Sequence, residues 1–126
     1  MNTATRKAKG KRLQKYVCSL ILKYHSKLTD NDVKSIRMGR KGEDVQLSKT
    51  AKELVPYSIE CKNQEKMKYL WDAYEQAVNN SNNLEPMVVI KINQKKPLVV
   101  IDAEHFFLLQ SKNNILKLNQ DSKILS

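Results

Sequence analysis

The chain has 126 residues, 40% of them hydrophobic and 29% charged, and its 23 Lys and Arg against 13 Asp and Glu give a net charge of +10. This length suits one domain with a real core and is too short for two. The composition excludes a disordered chain. No apolar run approaches a bilayer span, and no apolar stretch with a cleavage site follows the basic N-terminus, so a soluble, cytoplasmic protein is expected.

The two cysteines, Cys18 and Cys61, occur with only two histidines and without a Cys-x-x-Cys pair. That excludes a disulfide framework and a structural zinc site, and predicts small buried thiols in a reducing compartment. The charge is uneven. Residues 1 to 42 hold twelve Lys and Arg against two Asp, whereas residues 43 to 126 hold eleven of each sign. A localised basic face is the footprint expected for a phosphate backbone, although solubility alone would also account for it.

Residues 1 to 5 are small and polar and are expected to fray. From Arg6 to about Lys27 the spacing of Leu13, Val17, Leu20, Ile21, Tyr24 and Leu28 predicts a helix with one apolar face. Its first turns carry Arg6, Lys7, Lys9, Lys11, Arg12 and Lys15. So many cations oppose the helix macrodipole, a cost that a bound polyanion would relieve.

Leu28 to Asp32 reads as a turn and Val33 to Arg37 as a strand. Met38 to Gly42 is a basic loop with two glycines. It either brings Arg37, Arg40 and Lys41 to a phosphate backbone or is an ordinary hairpin loop with solvated charges. In Gly42 to Leu47, alternation puts Asp44 and Gln46 on one face and Val45 and Leu47 on the other. Thr50-Ala51-Lys52-Glu53 fits a capping box, predicting one helical turn before Pro56 resets the chain to extended geometry.

Tyr57 to Lys62 alternates as a half-buried strand, with Ser58, Glu60 and Lys62 on one face and Tyr57, Ile59 and Cys61 on the other. Glu65 to Val78 has helical spacing at Met67, Leu70, Trp71, Tyr74 and Ala77, read as packing residues, and Asn79 to Asn83 ends it. Met87 to Ile92 and Leu98 to Ile101 are apolar runs joined by Asn93 to Pro97, a hairpin whose strands are expected to be covered on both faces. Asp102 can cap a last helix through Gln110, with Ala103, Phe106 and Leu109 inward and His105 a surface or capping residue. Residues 111 to 126 are left without an assigned element. Internal repeats, a Walker loop, a dinucleotide fingerprint and a nucleophile elbow are all absent from the sequence.

A Glu-x-Lys triplet such as Glu60-Cys61-Lys62 alone suits a cross-strand ion pair at a sheet edge. With Asp44 on the preceding run, the three could converge on one hairpin. That set resembles the PD-(D/E)xK nuclease superfamily. The order of elements over about residues 6 to 110 resembles the small Holliday-junction resolvases and related phage endonucleases. The matching stretches are Lys9-Gly10-Lys11-Arg12-Leu13-Gln14, Gly42-Glu43-Asp44, and Glu60-Cys61-Lys62 followed by Gln64.

The resemblance implies an α/β fold with a mixed central β-sheet flanked by helices, a restriction-endonuclease-like αβββαβ core. Residues 1–126 would form a single nuclease domain with a basic helix at 6–27 and a catalytic hairpin at about 43–64. Asp44, Glu60 and the backbone carbonyl of Cys61 would hold Mg²⁺ or Mn²⁺, and Lys62 would orient the attacking water or meet developing charge. Gln14 stands where the resolvases usually carry a metal-proximal Glu. It would act more weakly through its amide oxygen or a bound water, and Gln14→Glu is expected to be tolerated. Phosphate contacts would come from Lys7, Lys9, Lys11, Arg12, Lys15, Arg37, Arg40, Lys41 and Gln64. Cutting two strands would need a homodimer, with neither membrane nor organic cofactor. The leading expectation is therefore a metal-dependent DNA endonuclease acting on branched DNA in the host-cell cytoplasm if phage-encoded. A free-standing, sequence-specific homing-type endonuclease and a non-catalytic DNA-binding protein are the alternatives.

Overall fold

The computed structural model describes residues 3–36 and 42–125. The chain divides into two compact units, Met1–Asn63 with Phe107–Ser126, and Gln64–Phe106. Arg37, Arg40 and Lys41 lie outside the described residues.

In the first unit, α1 (Thr3–Tyr24) buries Gln14, Val17, Cys18, Leu20 and Ile21, and the buried stripe continues past its end through His25 and Leu28. The helix stops three residues before the predicted end because the Leu28 N–H turns back to the His25 carbonyl, and the Asp32 carboxylate then accepts the Thr29 N–H at 2.9 Å. β1 (Val33–Ser35) pairs antiparallel with β2 (Val45–Leu47), Val33 opposite Leu47 and Ser35 opposite Val45. Burial alternates along β2 as expected, with Val45 and Leu47 in the core and Gln46 outside.

α2 (Lys49–Leu54) is capped at Ser48, two residues ahead of the predicted box. The Ser48 hydroxyl accepts the Ala51 N–H at 3.1 Å and donates to the Asp32 carboxylate at 2.7 Å, so the cap is fixed from both sides. A last helix, α4 (Ala103–Leu125), starts at the predicted cap: the Asp102 carboxylate accepts the His105 N–H at 2.8 Å. It continues through the stretch that the sequence left unassigned. Among its described side chains Phe107, Gln110 and Ser111 are buried, and the expected Leu109 is exposed. The register follows polar bonds: the amides of Gln110 and Asn114 both donate to the Leu54 carbonyl at the end of α2, Asn114 at 2.7 Å.

His25 completes this latch, its Nε2 lying 2.8 Å from the Gln110 amide oxygen. An amide oxygen only accepts, so Nε2 carries the proton. Burial pushes the imidazole below its usual range, against the opposing bond to Gln110. The unfolded chain therefore takes up the proton first. This stabilisation is complete above the ordinary histidine range and is lost as pH falls through about 6.5 and below. The urea midpoint is expected to drop between pH 7 and pH 5, and the drop to shrink in His25→Gln, which keeps a donor but cannot titrate. A wild-type midpoint that is flat over this interval would contradict a neutral, buried His25.

The second unit holds α3 (Lys68–Asn79) and the antiparallel pair β3 (Val88–Ile90) and β4 (Leu98–Val100), with Val89 opposite Val99. Asn82, Asn83 and Gln94 take left-handed φ of 47°, 71° and 66° in the two connections, conformations that asparagine accepts more readily than most residues. Among its described residues none is buried. Trp71, edge-to-face with Tyr74 at 5.9 Å, is 57% exposed, whereas Met67, Leu70, Tyr74 and Ala77 of the same predicted packing stripe are half-buried. The strands are likewise not covered on both faces, because Val89 and Val99 point away from any cover.

The expected single mixed sheet is absent among the described residues, replaced by these two separate two-stranded antiparallel sheets and four helices. The predicted strand at Tyr57–Lys62 fails for a local reason. The Asp44 N–H reaches the Ile59 carbonyl at 3.0 Å, but the Cys61 N–H goes to the Asp44 carboxylate instead of a carbonyl, so no ladder propagates. No helix among the described residues is long and apolar enough to cross a membrane.

Candidate functional site

Asp44 sits just ahead of β2, half-buried, and ties three segments together. Its carbonyl accepts the Ile36 N–H at 3.0 Å, its N–H donates to Ile59, and its carboxylate Oδ2 accepts the Cys61 N–H at 2.6 Å. Gly42, two residues earlier, has φ +110°, a conformation that a Cβ would strain, and the turn brings Glu43 to the Ser58 hydroxyl at 3.3 Å. The carboxylate of Asp44 therefore lies against the middle of Glu60-Cys61-Lys62, and the sequence-predicted trio shares one neighbourhood.

The chemistry of that neighbourhood is narrower than expected. Glu60 and Lys62 pair at 3.6 Å with about three-fifths of each side chain exposed, so the pair contributes no more than about 1 kcal/mol. Burial and then the charge of Asp44 push the Cys61 thiol up to about 11, with Cys18 and Glu60 adding to the shift. It is protonated at neutral pH, and the thiol rather than the reactive thiolate is the form present.

The expected Mg²⁺ or Mn²⁺ site is corrected on the same grounds. Among the described residues no group of three His, Cys, Asp or Glu side chains could hold a metal ion. Asp44 already accepts a backbone N–H, the Lys62 ammonium neutralises Glu60, Glu43 is turned to Ser58, and position 14 offers an amide rather than a third carboxylate.

On α1, Lys11, Gln14 and Cys18 share the inward face by their helical spacing. Lys11, expected on phosphate, instead donates from Nζ to the Ile36 carbonyl at 3.2 Å. Gln14 is only 2% exposed. Around its first turns the helix carries Arg6, Lys7, Arg12 and Lys15, all exposed, with Lys9 half-buried, and it contains no acidic residue. Gln64 is exposed at the start of the second unit. The sequence reading missed the inward turn of Lys11 and the His25 latch. Both had a signal, since 11, 14, 18, 21 and 25 continue one helical stripe.

Removing the Asp44 acceptor tests its structural part. Asp44→Ala is expected to cost about 1.5–3 kcal/mol in urea unfolding, the usual range for a hydrogen bond to a charged group, and Asp44→Asn clearly less because an acceptor oxygen remains. Equal losses in the two variants would show that the Cys61 bond is not what holds residues 57–63.

The described residues thus define a basic helix packed beside a hairpin whose Asp44 is bonded to the irregular segment that carries Glu60 and Lys62. No family model matches the chain, and neither a curated protein nor a solved structure matches it.

Proposed function

We propose that the protein binds DNA through the sugar–phosphate backbone, using the exposed basic first turns of α1. One observation carries this reading: a helix of 22 residues without a single Asp or Glu exposes Arg6, Lys7, Arg12 and Lys15 over its first turns. These cations repel each other and the positive end of the helix dipole, and a polyanion removes both costs. Contacts of this kind supply affinity without sequence information. The test is fluorescence anisotropy with a random-sequence duplex, a single strand and a four-way junction over a range of salt. Affinity should fall linearly on a log–log plot for all three, and absence of binding at low salt would end the reading.

A second reading is DNA cleavage at the hairpin, the activity implied by the resemblance to PD-(D/E)xK nucleases. The observation favouring it is the Asp44 carboxylate held 2.6 Å from the backbone N–H between Glu60 and Lys62. Incubating the same three substrates with the wild type, Asp44→Asn and Glu60→Gln decides it. Cleavage that disappears in both variants supports catalysis, and intact substrate throughout leaves a binding protein.

A further inference from the structure

The first turns of α1 run past the surface on which the rest of the helix packs. Lys7 precedes Gln14 by one heptad and Ile21 by two, so it stands on the stripe that faces the core further along. Gln14 and Ile21 are buried there, yet Lys7 is exposed, and so is every residue from Ala4 to Ala8. Lys11 is the point where the helix meets the hairpin, its Nζ on the Ile36 carbonyl at 3.2 Å, and Gln14 is the first buried residue among those described.

Charge on this projecting segment is not confined to one side. At about 100° per residue, Arg12 stands about 140° around the helix from Lys7. The arc between them holds Ala4 and Ala8 over the first turns, and Lys11 and Lys15 further along. A helix resting on a single strand of phosphates uses cations on one side only. Cations on both flanks of a face lined by methyl groups match two phosphate strands with a trough between them. The major groove of B-form DNA, about 12 Å wide and 8.5 Å deep, is such a trough and admits one α-helix, whereas the minor groove is about 6 Å wide. From Ala4 to Gly10 the helix rises about 10 Å, enough to cross the depth of that groove.

We infer that residues Ala4–Arg12 of α1 enter the major groove of duplex DNA, with Ala4 and Ala8 toward the base edges, Lys7 on the phosphates of one strand and Arg12 on those of the other. The preferred substrate is B-form duplex, the arms of a junction included, ahead of single strands and of A-form RNA, whose major groove is deep and narrow. The inference rests on the DNA-binding reading above and adds the groove to it.

Fluorescence anisotropy of the full chain at one salt concentration tests it, with three probes of equal length and phosphate number. They are a plain DNA duplex, the same duplex with glucosylated hydroxymethylcytosine filling its major groove, and an RNA duplex of the same sequence. The second and third should bind at least about tenfold more weakly than the first, because both rows of cations can no longer reach phosphate. Ala8→Trp enlarges the groove-facing side without changing charge and should lose a similar factor on the plain duplex, with circular dichroism to check that it folds. Equal affinity for the plain duplex and either of the other probes overturns the groove assignment and leaves backbone contact standing, as does a folded Ala8→Trp protein that binds like the wild type. A plain duplex left unbound at low salt removes the DNA-binding reading itself, and the groove assignment with it. Should Ala8→Trp not fold, the three probes with the wild type decide.

Discussion

Replacing Lys7, Arg12 and Lys15 together by Gln is expected to lower the affinity for duplex DNA by about two to three orders of magnitude at 0.1 M salt. Each phosphate contact releases condensed counterions and contributes about 0.9 to the slope of log affinity against log salt, so three lost contacts reduce that slope by about 2.7. The three side chains were chosen because all are exposed on α1, whereas Lys11 is turned to the Ile36 carbonyl and would confound binding with folding. Loss should be similar on duplex and junction, since backbone contacts carry no sequence information. Neutralising Lys66, Lys95 and Lys96 of the second unit is the control and should leave the slope unchanged. If the α1 variant keeps the wild-type slope, the basic helix is not the binding face and the charge asymmetry of the chain has another cause.

Gln14→Glu is expected to destabilise the fold by about 3.5 kcal/mol at pH 7, the cost of keeping a carboxyl of ordinary pKa about 4.3 neutral at that pH, at about 1.36 kcal/mol per pH unit. The site is 2% exposed, and the nearest cation on the same helix face, Lys11, is already engaged by Ile36. This replaces the expectation of tolerance drawn from the resolvases, in which a metal stands beside that carboxylate. The sign can be checked. The introduced carboxyl has its pKa raised by folding, so the difference from wild type should be absent below about pH 4 and grow as pH rises. Urea unfolding of both proteins across pH 4 to 8 measures it. A variant as stable as wild type at pH 7 would mean that a compensating positive charge reaches position 14.

The sequence by itself determined what local rules govern. The apolar stripe of α1, the alternation of Val45 and Leu47 about Gln46, the Asp102 cap and the β3–β4 hairpin each depend on period, capping chemistry or turn residues within a few positions. The sequence also placed Asp44 and residues 60–62 on two neighbouring runs, and the Cys61 N–H does meet the Asp44 carboxylate, although the second run forms no strand. Tertiary structure decided how those groups are engaged. A single carboxylate-to-N–H bond from Asp44 to Cys61 ends the ladder that would have made residues 57–62 a strand, and among the described residues no group of three His, Cys, Asp or Glu side chains could hold a metal. The same holds for depth. Periodicity reports which residues share a face but not what covers it, so Gln14 and His25 are buried beneath α1 while Trp71, Val89 and Val99, on equally periodic elements, face solvent. Burial is a property of the partner surface, which periodicity along one chain segment does not report.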